Sequence, residues 1–186
     1  MSAPCQAVIL AAGEGSRFAR GAKLRADLRG RPLVAWAVEA AREAGLADTI
    51  VVTGAQRLDD LLPDDVTVVP NPDWARGQAS SLRVGIQVAD TDGHDALVVG
   101  LADTPFVTAE CWAAVAGAET NVATATYDGD PRPPVRLARA VWDQVPASGD
   151  AGARRLVRGG LGPVQEIPCD GRAVDIDTME DLRRWS

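Results

Sequence analysis

Apolar residues are arranged along this chain in two patterns, short unbroken runs and longer stretches in which they recur at helical spacing. An unbroken run that ends at glycine is typical of a buried parallel strand, whereas apolar positions three and four residues apart indicate an amphipathic helix. The two patterns alternate over about the first 120 residues and then become less regular. We therefore expect an α/β protein, a three-layer α/β/α arrangement around a Rossmann-like, mostly parallel sheet.

The pattern also predicts where the elements lie, with ends uncertain by a few residues. The predicted strands are 7–11, 49–53, 66–69, 96–101, 122–127, 134–137 and 164–167. The predicted helices are 33–44, 58–62, 82–89, 109–116, 138–145, 151–157 and 179–185. No repeat, low-complexity tract or linker interrupts this order, so residues 1–186 are expected to form a single domain.

Several polar residues at the predicted helix starts are candidates for N-caps, whose side chains accept hydrogen bonds from the first helical turn. They are Ser80 or Ser81, Thr108, Asp150, and the pair Asp177 and Glu180, which has the spacing of a capping box. If Asp177 is a cap, its carboxylate is occupied by the helix, which matters because the same residue is also a candidate metal ligand.

Composition and charge narrow the class of protein. Hydrophobic residues make up 46% of the chain and charged residues 24%, which is ordinary for a globular protein, and the net charge of −7 argues against a nucleic-acid binder. No apolar run is long enough to cross a bilayer and no signal peptide is recognisable, so we expect a cytoplasmic protein without a membrane partner. Cys5, Cys111 and Cys169 form no C-x-x-C pair and are expected to be buried or incidental thiols.

The first predicted strand runs straight into a glycine-rich turn with two cations behind it. Gly13, Gly15 and Ser16 follow the strand, and Arg17 and Lys23 come next. Bare backbone N–H groups and positive charge in this order favour binding of a polyphosphate. The spacing is neither that of a Walker A motif nor G-x-G-x-x-G, so a plain strand-to-helix turn with a solvated basic fringe is equally compatible with it.

Two aspartates are candidate metal ligands. Asp103 ends the fourth predicted strand, at the edge where the glycine-rich loop also emerges, and ligands of open α/β sheets bind at that edge. A carboxylate there is placed to hold Mg²⁺ against phosphate oxygens, although an Asx-turn before Pro105 is an alternative. Asp177 is the second candidate. Further along, Asp150 and Arg154 are candidates for acceptor phosphate recognition, with an ordinary surface helix as the alternative.

Several blocks resemble a known family of nucleotidyltransferases with the GT-A-type fold. Leu10-Ala11-Ala12-Gly13, with Arg17 and Lys23, resembles its signature loop. Three further blocks resemble its molybdenum cofactor cytidylyltransferase branch: Asn71 to Ala75 with Gly77 and Ser80 to Arg83, then Gly149 to Arg154, then Asp175 to Leu182. The blocks run in order from residue 7 to residue 182, and together they are more specific than any one of them.

The resemblance implies a nucleotidyltransferase that transfers NMP from an NTP to a phosphorylated small molecule, molybdopterin above all, and releases pyrophosphate. It implies that Leu10, Ala11, Ala12 and Gly13 contact the base and ribose and that Arg17 and Lys23 hold the triphosphate. It further implies that Asn71, Gly77, Ser80 and Ser81 line the nucleotide site, and that Asp103, with Asp177, binds Mg²⁺. A molybdoenzyme or its chaperone is an implied protein partner.

Three departures from the branch bear on substrate choice. The chain has Phe18-Ala19-Arg20-Gly21-Ala22 before Lys23, one residue more than the cytidylyltransferases, and Asp103-Thr104-Pro105 where they have Asp-Gln-Pro; both features resemble the related guanylyltransferases. Arg132-Pro133-Pro134 replaces Gly-His-Pro, which affects the acceptor. The expectation is CTP, with a guanylyltransferase as the alternative. A nucleotide-binding accessory protein without transferase activity is an alternative of another class.

Overall fold

The computed structural model of the protein describes residues 5–18, 23–159 and 162–186. Its strands are β1 (Cys5–Ala11), β2 (Asp27–Leu28), β3 (Arg31–Pro32), β4 (Thr49–Thr53), β5 (Thr67–Pro70), β6 (Ala96–Leu101), β7 (Val122–Tyr127), β8 (Asp130–Ala138) and β9 (Val164–Pro168). Its α-helices are α1 (Leu33–Glu43), α2 (Gln78–Thr91), α3 (Ala109–Ala116), α4 (Arg154–Arg158) and α5 (Met179–Trp185). No described helix has the length and apolar character needed to span a membrane.

Seven strands form one sheet in the order β5-β4-β1-β6-β8-β7-β9, and β2 and β3 form a separate hairpin. Neighbours β5, β4, β1 and β6 are parallel, β8 is antiparallel to both β6 and β7, and β7 is parallel to β9. Within this sheet only β8 is reversed, so β1, β4, β6 and β7 all end at one edge. The expected mostly parallel α/β sheet is confirmed.

Side chains alternate between the two faces of the sheet and form one core on each. On β1, Ala7 and Ile9 face the core shared with α1, α3 and α5, whereas Val8 and Leu10 face the core shared with α2 and α4. Both faces are apolar because each is covered by helices, which explains why the central strands are unbroken apolar runs. Packing of helices on both faces thus holds the strands, and with them the strand ends, in place.

The sequence pattern located the central strands well and the periphery less well. Strands β4, β6 and β7 have their predicted ends, whereas β8 is longer than predicted and the β2–β3 hairpin was not predicted. The helix predicted at 138–145 is a 3-10 helix, Arg139–Gln144. The short hairpin strands have little apolar content, so the pattern that reveals a buried strand is absent from them.

The structure corrects three of the predicted helix caps and confirms one. Thr108 caps α3 by accepting a hydrogen bond from the Cys111 backbone N–H at 3.2 Å. Helix α2 begins at Gln78, so Ser80 and Ser81 lie inside its first turn, and the N-cap of α4 is Ala153 rather than Asp150. The capping box of α5 consists of Thr178 and Asp181. Each wrongly predicted cap lies one to four residues from the observed one. The last of these differences leaves the Asp177 carboxylate free of the helix.

Cys111 and Cys169 form a disulfide, contrary to the expectation of free thiols. Cys111 lies on α3 and Cys169 directly follows β9, with their Cα atoms 5.4 Å apart although 58 residues separate them. Sequence spacing gave no sign of this, because only the packing of α3 beside the end of β9 brings the two together. Cys111 lies eight positions after Asp103, and Asp177 lies eight positions after Cys169.

We expect native protein to show no reactive thiol in the absence of reductant. Cys5 is a free, buried cysteine, and burial raises its pKa to about 11, so little of its thiolate is available to a reagent. Unfolding without reductant should expose one thiol per chain, and unfolding with reductant should expose three. Titration with a chromogenic disulfide reagent measures all three states. Three thiols in the unfolded, unreduced protein would show that the disulfide is absent.

Candidate active site

The carboxyl ends of β1 and β6 border a cavity of about 330 Å³, here called the nucleotide cavity. Its walls bring together blocks that are far apart in sequence: Leu10, Ala12, Gly13, Trp74, Ala75, Gly77, Gln78, Ser81, Leu101, Asp103 and Asp150. The glycine-rich turn and Asp103 therefore face the same space, as expected for strands that end at one edge of a parallel sheet. Ala11 does not line the cavity and is buried in the opposite core.

Two loops that form the far wall are joined backbone to backbone. The Ala79 N–H donates to the Gly149 carbonyl at 2.9 Å, and the Gly149 N–H donates to the Arg76 carbonyl at 2.8 Å. Gly77 has φ of +99°, and a Cβ there would lie 2.6 Å from the Gly149 carbonyl carbon. The close approach of the two loops thus requires glycine at position 77.

Replacing Gly77 with alanine should therefore destabilise the protein and weaken nucleotide binding. Gly93 is a matched control, because it has φ of +80° and no described atom lies within 4 Å of the position that its Cβ would take. Gly77, with φ of +99° and ψ of 173°, has a backbone conformation that only glycine adopts readily, so alanine there should cost about 1–3 kcal/mol, and the clash about 1–3 kcal/mol more. Gly93→Ala should cost only about 1–2 kcal/mol, for its positive φ alone. Denaturant unfolding measures the difference. Equal losses in the two variants would show that the loops are not held in contact.

Asn71 and Ser80 support the cavity wall from behind. The Asn71 side-chain amide donates to Ser80 Oγ and to Ser81 Oγ, both at 3.0 Å, and its Oδ1 accepts from the Asp73 N–H at 2.9 Å. Ser80 Oγ donates to the Gly77 carbonyl at 2.8 Å. Of the four residues expected here to line the nucleotide site, Gly77 and Ser81 border the nucleotide cavity. Asn71 and Ser80 border a separate cavity on the other side of the loop.

Lys23 is held between two carboxylates, one of which, Asp103, lines the nucleotide cavity. Its Nζ lies 2.6 Å from Asp103 Oδ2 and 2.6 Å from Asp177 Oδ1, and the residue is 7% exposed. Burial alone would lower the pKa of Lys23, but the charges and hydrogen bonds of Asp103 and Asp177 outweigh it, so the pKa is raised. The ammonium stays charged at neutral pH. Lys23 is also the only lysine in the sequence, beside eighteen arginines.

Arg17 adds a second cation on the solvent side. Its guanidinium lies 2.8 Å from Asp177 Oδ2, and its side chain is 73% exposed. Gly15 brings the turn against Lys23, because a Cβ at Gly15 would lie 3.0 Å from Lys23 Cβ. Residues 19–22, which include the extra residue before Lys23, lie outside the described residues. The two cations expected from the sequence thus meet at Asp177.

The residues at this edge fit a divalent cation held by one or two carboxylates and by phosphate oxygens. Asp103 Oδ1 is buried and has no hydrogen-bond partner among the described residues, and its Oδ2 already faces a cation, the Lys23 ammonium. Mg²⁺ is commonly bound in this way rather than by an all-protein cage. Residues 5–18, 23–159 and 162–186 contain no group of three or more His, Cys, Asp or Glu side chains placed to hold a metal ion.

A third carboxylate, that of Asp175, lies near Asp103 and Asp177 and faces an arginine. Burial is the main cause that raises its pKa, and the nearby Asp103 charge adds to the effect. Arg132 opposes it with a guanidinium 3.7 Å from Asp175 Oδ2. In the sequence Arg132 stands out only as a departure from a motif, and nothing there indicates that it pairs with Asp175.

Asp150 and Arg154 lie together on a second cavity of about 130 Å³, which adjoins the first. Asp150 borders both cavities, whereas Arg154 borders only the second. Arg132 and Arg158 also line this second cavity. The sequence does not single out Arg158, since an arginine on a short helix looks like any other surface residue.

A family model described as the MobA-like NTP transferase domain matches residues 7–166, which is most of the chain. The chain belongs to the MobA-like NTP transferase family. The resemblance to nucleotidyltransferases is thereby confirmed. The contact between the loops of Gly77 and Gly149, and the ion pairs of Lys23 with Asp103 and Asp177, are features of this chain's version of the domain.

Two named proteins are similar in sequence to this chain. Nicotine blue oxidoreductase of Paenarthrobacter nicotinovorans is 32% identical over 97% of this chain and 96% of its own length. Purine catabolism protein PucB of Bacillus subtilis (strain 168) is 34% identical over 59% of this chain and 56% of its own. The relatives of this chain are therefore named for different activities.

The fold has a solved counterpart in Rv0371c of Mycobacterium tuberculosis H37Rv. Its crystal structure superposes with a TM-score of 0.84 at 27% identity and covers 99% of this chain and 98% of its own. A structure of Rv0371c in complex with manganese superposes with a TM-score of 0.76, over 98% of this chain and 97% of its own. A protein of this fold thus binds a divalent cation.

Proposed function

We propose that this MobA-like NTP transferase domain transfers NMP from CTP, in preference to GTP, to a phosphorylated small-molecule acceptor, with molybdopterin as the first candidate. The observation that carries the proposal is Lys23, held between Asp177 and Asp103, of which Asp103 lines the nucleotide cavity. A buried cation and two carboxylates at the strand ends of an α/β sheet suit a triphosphate with its metal. A molybdoenzyme or its chaperone would receive the product.

In the proposed reaction an oxygen of the acceptor phosphate attacks the α-phosphorus of the NTP. The new P–O bond forms as the bond between the α-phosphorus and the bridging oxygen breaks, and pyrophosphate leaves with that oxygen. Because a phosphate monoester is largely ionised near neutral pH, the attacking oxygen needs no general base. Positioning and charge neutralisation are then the main tasks of the protein, as in other phosphoryl transfers.

The residues of the site divide these tasks. Asp103 and Asp177 would hold Mg²⁺, which when bound supplies Lewis-acid stabilisation of charge on phosphate oxygens. Lys23 would leave its two carboxylates and neutralise the charge that develops on the departing pyrophosphate, and Arg17 would extend this role at the exposed side. Gly13 and Gly77 would let the base and ribose approach the backbone closely.

A thermal-shift panel tests the proposal, because a ligand that binds the native state raises the melting temperature by mass action. CTP, GTP, ATP and UTP are each added with and without Mg²⁺, and CTP with Mg²⁺ should give the largest shift. Pyrophosphate release on adding an acceptor then shows transfer. A largest shift with GTP supports a guanylyltransferase. Binding without pyrophosphate release from any acceptor supports an accessory protein, and no response to any nucleotide overturns all three.

A second candidate function is reduction of a conjugated ring compound. The observation in its favour is the full-length similarity to a protein named nicotine blue oxidoreductase. The discriminating assay follows NADH or NADPH oxidation with a quinone such as menadione as acceptor. NADH or NADPH oxidation that survives Asp103→Asn would favour the oxidoreductase, since hydride transfer needs no metal-bound triphosphate. Absence of NAD(P)H oxidation would exclude it under those conditions.

A further inference from the structure

The second cavity, here called the acceptor pocket, has an apolar floor and a cationic rim. It shares a wall with the nucleotide cavity, formed by Leu10, Gln78, Leu101 and Asp150. Its floor includes Val99 from β6, Val135 from β8 and Val157 from α4. A ligand in it would therefore touch apolar side chains below and lie next to the nucleotide.

Three guanidinium groups surround this floor in a protein of net charge −7. Arg132 comes from β8, and Arg154 and Arg158 come from α4. Arg132 faces Asp175 at 3.7 Å, whereas no described carboxylate lies within ion-pair distance of Arg154 or Arg158. Arginines without a protein counter-ion beside a cavity are suited to bidentate binding of anionic groups.

The position of Arg132 is fixed by the strand that carries it. The pairing of β7 with β8 shifts register between Thr124 and Ala125, so Ala125 pairs with Arg132 whereas Thr124 pairs with Val135. Thr124 Oγ1, on a fully buried residue, donates to the Arg132 carbonyl at 3.1 Å. This irregularity holds Arg132 between the apolar floor and the carboxylate edge. Bulges next to active sites commonly direct a side chain in this way.

The size of the acceptor pocket restricts what enters it. At about 130 Å³ it is smaller than the cavities of about 300 Å³ or more that enclose a drug-sized ligand. Its enclosed part thus suits one compact ring-sized group. The acceptor pocket and the nucleotide cavity share the wall that contains Asp150. An acceptor bound in the pocket would therefore lie next to the nucleotide.

We propose that the acceptor is a compact molecule with an apolar, ring-sized body and two anionic ends. Its reacting phosphate binds Arg132, displacing Asp175, and its other anionic group binds Arg154 and Arg158. This inference rests on the proposed nucleotidyl transfer and gives it a substrate class. It also makes Arg132, where related enzymes carry a different motif, the residue that selects the acceptor.

Simple probes test the pocket without knowledge of the natural acceptor. Calorimetry compares 1-naphthyl phosphate, 1-naphthol, inorganic phosphate and naphthalene-1,5-disulfonate. The two ring compounds that carry anionic groups should bind more tightly than naphthol or phosphate alone. Arg132→Met should weaken 1-naphthyl phosphate about tenfold, the loss of one charge-assisted contact. The double variant Arg154→Met, Arg158→Met should weaken the disulfonate at least as much.

Arg155→Met is the matched control, because Arg155 lies on the same short helix but does not line the pocket. It should leave all probe affinities unchanged. Equal binding of naphthol and naphthyl phosphate, or equal weakening by Arg155→Met, would overturn the pocket assignment. The CTP thermal shift is measured on every variant and should persist. Absence of a CTP thermal shift in the wild-type protein would overturn the proposed function instead. Failure of the pocket assignment and failure of the proposed function are therefore distinguishable.

Discussion

Asp103→Asn should abolish nucleotidyl transfer while leaving the fold intact. The amide keeps the shape of the carboxylate but loses the charge that would hold Mg²⁺, so we expect the transfer rate to fall on the order of 10³-fold or more. Pyrophosphate release measures the loss. The melting temperature should change little, because Lys23 retains its second partner, Asp177, at 2.6 Å.

The control for this prediction is an aspartate in an ordinary surface ion pair. Asp65 pairs with Arg42, and its side chain is 62% exposed, so Asp65→Asn should leave transfer unchanged. Transfer that survives Asp103→Asn at more than a tenth of the wild-type rate would exclude Asp103 as the principal metal ligand.

Lys23→Met should change two properties in opposite directions. Transfer should fall about 10²–10³-fold, because the variant lacks the cation that stabilises pyrophosphate. Binding of Mn²⁺ in the absence of nucleotide should tighten about tenfold, since no ammonium 2.6 Å away competes for Asp103 and Asp177. Electron paramagnetic resonance of free Mn²⁺ measures the second effect.

Two further variants sharpen this test. Lys23→Arg should not restore transfer, because a planar guanidinium cannot replace a compact ammonium at a buried site that contacts two carboxylates, but its charge should still oppose Mn²⁺ binding. Arg17→Met should weaken transfer less than Lys23→Met, because Arg17 is exposed and contacts Asp177 alone among the described carboxylates. Unchanged Mn²⁺ affinity in Lys23→Met would mean that the ammonium and the metal do not share a position.

The central fold was predictable because buried parallel strands carry a strong signal. Strands β4 and β6 have apolar centres, and β7 alternates small apolar residues with threonine; the ends of all three were found to the residue. The first half of β8 was not, since Asp130 to Pro133 are largely exposed and include two prolines. A strand that lacks an apolar face gives the sequence pattern nothing to detect.

The site was predictable where chain topology decides it and not where packing does. Strand order alone places Asp103 near the glycine-rich turn, and the two indeed line one cavity. By contrast, the Asp175–Arg132 pair and the position of Arg158 depend on the register of β8 and the docking of α4. Neither can be read from spacing along the chain. The capping error at Asp177 had a different, local origin, because neighbouring Thr178 has the same spacing to Asp181 as Asp177 has to Glu180 and satisfies the backbone groups instead.

The Cys111–Cys169 bond has a consequence for a protein that has been cut. A single break anywhere from 112 to 168 would leave Lys23 and Asp103 on one fragment and Asp177 on the other, yet the disulfide would keep both fragments in one covalent molecule. Reductant would then break the covalent link between the fragment with Lys23 and Asp103 and the fragment with Asp177. An unbroken chain between α3 and β9 is thus not needed to keep Lys23, Asp103 and Asp177 in one covalent molecule.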